Sequence, residues 1–235
     1  MASKQFTIND LVVHVYKHRA ARSLRLTIRP DGQVRVTIPS WAPYQAGVQF
    51  AKAREEWIRA QQQPAQLLRD GQAIGKAHHL EFVPAVTLKP TTRINGQRIV
   101  VQYPADVLPT DHTVQKVAEQ AARRALKQQA DALLPERLRA LAEQYGFTYG
   151  GLTIRQLKSR WGSCNEKKNI VLNYYLMQLP WEYIDYVLLH ELTHTKQMNH
   201  GTEFWQLLEQ VCPDYKQYKR ELRKHKPVVI ADPLA

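Results

Sequence analysis

The stretch 183–194, Y-I-D-Y-V-L-L-H-E-L-T-H, decides the reading of this chain. Tyr183, Ile184, Tyr186, Val187, Leu188 and Leu189 leave almost no polar face at helical spacing, and a helix that is apolar all round is buried. Its C-terminal end nevertheless carries His190, Glu191 and His194. Positions four apart lie one above the other on a helix, so both imidazoles can hold one metal ion. Glu191 projects at a neighbouring angle, from which its carboxylate reaches water at that ion. Left unpaired inside a buried helix, these three groups would cost several kcal/mol, and a bound cation removes that cost. The bland alternative is a core network of His and Glu that satisfies itself.

A catalytic metal with an open position needs a third protein ligand. His200 is the first choice, because Asn199 and Gly201 around it allow a turn that folds its imidazole back onto the other two. Cys164, Glu203 and Glu209 compete for the role. A thiolate is a good ligand, whereas Glu203 opens the next helix beside the apolar pair Phe204 and Trp205. Upstream, K-S-R-W-G-S-C at 158–164 gathers cations, a large aromatic and a glycine in one loop. Lys158 and Arg160 could stabilise an oxyanion or bind a phosphate. Tyr174 and Tyr175, just past a strand at 169–173, are the other candidates for substrate or oxyanion contact.

Working outward, the chain has 235 residues, room for one large domain or two small ones. Lys and Arg number 33 against 21 Asp and Glu, a net charge of +12. That excess fits an anionic partner (nucleic acid, an acidic substrate or a phosphate-bearing molecule) or a solvated Arg-rich surface. A hydrophobic share of 44% excludes a wholly disordered chain, and only two cysteines exclude a disulfide scaffold. The first residues, M-A-S-K-Q-F-T-I-N-D, lack the apolar segment of a signal peptide. No run approaches the ~18 apolar residues of a membrane span. The expectation is a cytoplasmic protein with no membrane partner.

The first hundred residues read as β-rich. Strands are expected at Leu11–Tyr16, Leu24–Ile28 and Val34–Ile38, the last two joined by an Asp31-Gly32 hairpin. One helix follows from Pro43 to Gln63, with Phe50, Ala53, Trp57 and Ile58 on its apolar side and Pro64 closing it. Strands at Leu80–Leu88 and Arg98–Tyr103 are joined by Asn95-Gly96. Past Pro104 and Pro109 the period turns helical over 111–145, with Pro135 kinking or dividing the helix. A strand at 152–157, the strand at 169–173 and helices at 181–197, 202–211 and 214–224 complete the chain, with Asp214 capping the last. The fold class is therefore α+β: a β-rich N-terminal half with one helix (1–108), then a helical half with a small sheet (109–235).

From Lys158 to about Arg223 the sequence resembles the YgjP-like metallopeptidase domain, a family related to the SprT-like zincins. The matching residues are K-S-R-W-G-S-C (158–164), N-I-V-L-N (169–173), Y-V-L-L-H-E-L-T-H (186–194), N-H-G-T-E-F-W (199–205) and C-P-D-Y-K (212–216). The resemblance implies that 109–235 is a zincin-like hydrolase domain binding one zinc ion through His190, His194 and His200. It also implies Glu191 as general base, a protein or peptide substrate, and by analogy Ile170–Asn173 as the sheet edge that pairs with it. Two other readings compete. A metal-dependent nucleotide hydrolase suits the charge but lacks a P-loop and a carboxylate cluster for Mg²⁺. A nucleic-acid-binding protein with a structural metal could use Arg22, Arg25, Arg29, Arg123, Arg124 and the 216–226 tail, but structural zinc normally takes four protein ligands.

Overall fold

The structure is a computed structural model that describes residues 3–28, 33–62, 67–225 and 227. The chain is α+β, and its packing forms two compact units that divide between residues 65 and 66.

The first unit is a four-stranded sheet with two helices. Its strands are β1 (Ser3–Ile8), β2 (Leu11–His18), β3 (Arg25–Ile28) and β4 (Val34–Pro39), in the order β1-β2-β4-β3. Alternation explains them: Leu11, Val13 and Val15 of β2 and Val34, Val36 and Ile38 of β4 are buried, and the residues between them are not. β3 pairs antiparallel with β4 as the hairpin reading requires, although Asp31-Gly32 lies outside the described residues, as do Arg29 and Pro64. The expected single helix is two, α1 (Tyr44–Lys52) and α2 (Glu55–Gln62). The break falls at Ala53, whose amide still bonds the Gln49 carbonyl, while Arg54 drops to a tighter bond on Ala51 and lays its guanidinium 3.8 Å from the Phe50 ring centre. The buried side is Gly47, Ala51 and Ile58; Ala53 and Trp57 face solvent.

The second unit begins with another mixed sheet: β5 (Ala73–Ile74), β6 (His78–Ala85), β7 (Thr91–Asn95) and β8 (Arg98–Pro104), in the order β5-β6-β8-β7. Asn95-Gly96 joins β7 to β8, not β6 to β8; Gly96 takes the left-handed φ of 57° that such a turn requires. β6 then runs parallel to β8, with β7 as the antiparallel neighbour on the far side. Leu80, Ile99 and Val101 of this sheet share one core with α3 (His112–Tyr145). That shared core is why the packing boundary falls at 65/66 and the strands before residue 108 go with the helices after it. Pro135 neither ends nor divides α3, which runs unbroken for 34 residues. Pro135 and Asp131 are both exposed, so the carbonyl that loses its helical donor faces water.

A three-stranded sheet follows, β9 (Gly151–Arg155), β10 (Gly162–Cys164) and β11 (Asn169–Asn173), in the order β10-β11-β9. β11 is the central strand, antiparallel to β10 and parallel to β9. Ile170–Asn173 therefore has no free edge, and the expectation that it pairs with substrate is wrong; β10 is an edge. A 3₁₀ turn (Tyr174–Gln178) leads into α4 (Trp181–His194), then α5 (Thr202–Val211) and α6 (Tyr215–Leu222). Asp214 precedes α6 as expected, but its side chain makes no capping bond.

Candidate metal centre

Helix α4 is buried along most of its length, including Ile184, Val187, Leu188, Leu189 and Leu192. This buries Glu191 and His194 at its C-terminal end and half-buries His190. The helix stops at Thr195, and the chain turns through Asn199 and Gly201 into α5, bringing His200 back over α4. His200 Nε2 lies 3.1 Å from His190 Nε2. Among the described residues, His190, His194 and His200 are the one group of three or more His, Cys, Asp or Glu able to share a cation, with ligand atoms all within 4.8 Å of one another. Two nitrogens on one tetrahedral zinc at ~2.05 Å stand about 3.3 Å apart, so the His190–His200 spacing fits one ion between them.

The donor set fits as well as the spacing. A carbonyl only accepts, so the 3.1 Å contact between His194 Nδ1 and the Gln197 carbonyl makes Nδ1 the protonated nitrogen and leaves the Nε2 lone pair free. Burial, with the neighbouring imidazoles and Lys219, pushes His190 down to about 3; burial also lowers His194 and His200. Neutral imidazole is the form that binds metal. Phe204, fully buried on α5, sets its ring 5.0, 4.6 and 4.7 Å from those of His190, His194 and His200. The indole N–H of Trp205 donates to the His200 carbonyl at 3.1 Å and so pins the turn. Phe204 and Trp205 are thus supports of the site, a role their sequence pattern had not revealed.

Glu191 lies outside the cluster of ligand atoms. Burial pushes its carboxyl up to about 8, opposed by the charge of Arg160. Its Oε2 is buried with no hydrogen-bond partner among the described residues. The wall against it is the backbone of β10: a Cβ on Gly162 would stand 2.7 Å from Glu191 Oε1 and 2.8 Å from its Cγ. Glycine is needed there for close approach.

Asn173 is the residue sequence reasoning missed. It is fully buried, and its side-chain amide donates to the carbonyls of Leu157 and Arg160, both at 2.9 Å, while its Oδ1 accepts from the Tyr175 amide at 3.2 Å. Its own amide donates to the Trp161 carbonyl at 2.8 Å. One side chain thus holds the loop that carries Lys158 and Arg160. Its signal in the sequence was faint: an Asn closing an apolar strand, where such a residue weakens β structure unless it has partners.

The other candidates fall elsewhere. Lys158 is exposed on the loop, and Arg160 is exposed but close enough for its charge to act on Glu191. Tyr174 donates to Gln156 Oε1 at 3.3 Å. Tyr175 is buried, and the groups acting on its hydroxyl are Tyr174, Arg123 and Glu119, with none of the three histidines among them. The competing ligands are also placed apart. Burial and the Glu191 charge push the Cys164 thiol up to about 11, Glu203 is exposed, and Glu209 pairs with Lys216 at 2.9 Å.

Three neutral imidazoles converging beside one buried carboxylate are the equipment of a metal-dependent hydrolase. Comparison with known proteins narrows that class. The family model described as YgjP-like, metallopeptidase domain, matches residues 22–225, and the chain belongs to that family. Two solved structures are similar to a smaller part of it. The metallopeptidase zymogen of Pyrococcus abyssi abylysin is 26% identical, with a TM-score of 0.36 over 39% of this chain and 94% of that one. The metallopeptidase zymogen of Methanocaldococcus jannaschii jannalysin is 22% identical, with a TM-score of 0.35 over 38% and 93%. No curated protein matches the chain. Among the described residues, no helix is long and apolar enough to cross a membrane.

Proposed function

We propose that this chain is a zinc-dependent peptidase in which His190, His194 and His200 hold one zinc ion and Glu191 is the general base. The observation that carries the reading is the convergence of three imidazoles within 4.8 Å, with Glu191 buried beside them but outside the ligand set. Three protein ligands with a separate carboxylate match a catalytic site that keeps an open position; a structural site would close it with a fourth ligand. When bound, zinc supplies Lewis-acid chemistry, polarising the scissile carbonyl and acidifying water in its open position.

The protein's own groups do the rest. Glu191 takes the proton of the attacking water and delivers it to the leaving amine nitrogen, which ends as a free amine. Arg160, whose charge already acts on Glu191, is the best-placed of the four candidates for the oxyanion. The edge strand β10, packed against Glu191 at Gly162, is the strand an extended peptide would pair with.

Metal analysis of the purified protein tests the reading. One zinc per chain is expected, and His190→Ala and His194→Ala should each lose it. Well under half a zinc per chain, with no recovery on adding the metal, would overturn it.

A further inference from the structure

Helix α6 carries a cation where its pattern calls for an apolar residue. Tyr215 and Leu222 are buried and Tyr218 is half-buried, the stripe of an amphipathic helix. Lys219 lies on that same inward side. Its ammonium sits 3.9 Å from the centre of the Trp205 ring. Trp205 stacks on Tyr215 at 5.4 Å, and its ring lies 5.5 Å from His200 and 6.2 Å from His190. The lysine's charge reaches the metal centre, where it disfavours protonation of His190 and His200.

The neighbouring cations on α6 and just past it are engaged: Lys216 with Glu209, and Arg220 and Lys224 with Glu221. Among the described residues, no carboxylate pairs with Lys219 or Arg223. Trp205, Tyr215, Lys216, Lys219, Arg220 and Arg223 line one groove of about 400 Å³. It is room for a side chain or two, with aromatic lining and unpaired positive charge, and its Trp205 wall is the ring that lies 5.5 Å from His200.

We propose that Lys219, with Arg223, forms over Trp205 a subsite for a carboxylate side chain of the peptide substrate, so that this enzyme prefers Asp or Glu within about two residues of the scissile bond. The distance sets that range: an extended chain advances about 3.3 Å per residue, and the Trp205 ring is 6.2 Å from that of His190. Of the four cations lining the groove, Lys216 and Arg220 are already paired, and the two left, Lys219 and Arg223, suit a single carboxylate. A nucleic-acid backbone, the other anion the net charge of +12 admits, needs a row of cations spaced along it. The proposal rests on the peptidase reading above.

The test uses peptides that differ only in Glu, Gln or Lys beside the scissile bond. They are cleaved by the zinc-loaded full chain, and their binding to zinc-loaded Glu191→Gln is measured by calorimetry. The Glu peptide should exceed the Gln peptide by about tenfold in kcat/KM and in affinity at low salt, and by less as salt rises. Lys219→Met keeps an apolar stem on Trp205 and should bring that ratio close to one. Lys219→Glu should invert the Glu-to-Lys preference, moving the ratio by on the order of a hundredfold. Cleavage of all three peptides alike, unchanged in Lys219→Met, overturns the subsite and leaves the peptidase reading standing. Lys219-dependent binding of the Glu peptide without cleavage of any peptide supports the subsite and overturns the peptidase reading. Lys219-dependent binding of a single-stranded oligonucleotide, with no binding of the Glu peptide, assigns the groove to nucleic acid and overturns the proposal.

Discussion

The sheet of β1–β4 and its two helices bury hydrocarbon: Ile8, Leu11, Val13, Val15, Val34, Val36, Ile38, Ala42, Ala51 and Ile58. The second core buries polar groups as well, namely Gln129, Asn173, Gln178, Glu191, Thr193, His194 and Thr195. Buried polar groups are costly unless bonded, and several here are fully occupied in structural ties. Gln129 bonds the Lys76 amide at 2.6 Å and the Ile74 carbonyl at 2.9 Å, fixing the β5 turn to α3. Thr193 and Thr195 return their hydroxyls to α4 carbonyls at 2.7 Å. Among the described residues of this second core, the buried side-chain atoms left without a hydrogen-bond partner are Arg123 Nε, His190 Nδ1 and Glu191 Oε2, and the last two stand together at the three converging imidazoles. An unmade bond alone does not mark a site, since Arg35 Nε in the first unit has none either and its guanidinium lies over the Tyr16 ring; two unmade bonds beside converging metal-binding groups do.

Emptying one position in each core has the largest expected effect. Phe204→Ala removes the ring beneath all three histidines, and a large buried aromatic costs about 3–5 kcal/mol. Its zinc affinity should fall as well, by about 10–100-fold, as when a group that orients metal ligands is lost. Ile38→Ala in the first core should cost about 2–5 kcal/mol and leave zinc content untouched. Calorimetric melting with metal analysis of both variants checks this. Equal zinc loss in the two would erase the distinction.

Asn173→Ala comes next. It removes three side-chain hydrogen bonds worth about 0.5–1.5 kcal/mol each, for a loss of about 2–3 kcal/mol in denaturant unfolding. Zinc should stay bound while turnover drops, because the loop carrying Arg160 is released. Protection of the 157–161 amides from hydrogen exchange should fall in step.

A smaller effect sharpens the same point through pH. Glu191 binds its proton more tightly folded, at about 8, than at its ordinary 4.5, so metal-free protein loses stability as pH rises through that window. His190 is the opposite case, about 3 against 6.5, so stability falls as pH drops from 6.5 toward 3. The two oppose each other between 4.5 and 6.5, and Glu191 acts alone above that. Metal-free Glu191→Gln should therefore gain on the natural chain by about 1–3 kcal/mol between pH 6.5 and 8, read from melting curves.

What could be read from the sequence was whatever one element's own pattern carries. The H-E-x-x-H helix, the alternating strands β2 and β4, and helix α5 to the residue all show in their periods. The α1–α2 break does not, because Gly47, Ala51 and Ile58 would share one face of a straight helix as well. β6 beside β8 is a parallel pairing with no local signal, and it was hidden behind the Asn95-Gly96 turn that serves β7. Pro135 reads as a kink or a division of the helix because the sequence does not reveal its exposure. The clustering of the three histidines was legible, since two of them sit on one helix and the third one turn beyond it. Asn173 and Gly162 were not, because the partners that matter, Leu157 and Arg160 for Asn173 and Glu191 for Gly162, are 13 to 29 residues away, and only folding brings a glycine's missing Cβ against a glutamate.

The central claim is that Glu191 does chemistry while the three histidines hold the ion, and Glu191→Gln tests it most directly. Gln keeps the shape and the hydrogen-bonding reach of the side chain but cannot accept a proton. With zinc content and peptide turnover measured on the same preparation, the variant should keep one zinc per chain and lose at least about 10²–10⁴-fold in turnover. Loss of zinc as in His190→Ala would make Glu191 a ligand, and full activity with zinc retained would make the motif structural. Either result contradicts the account.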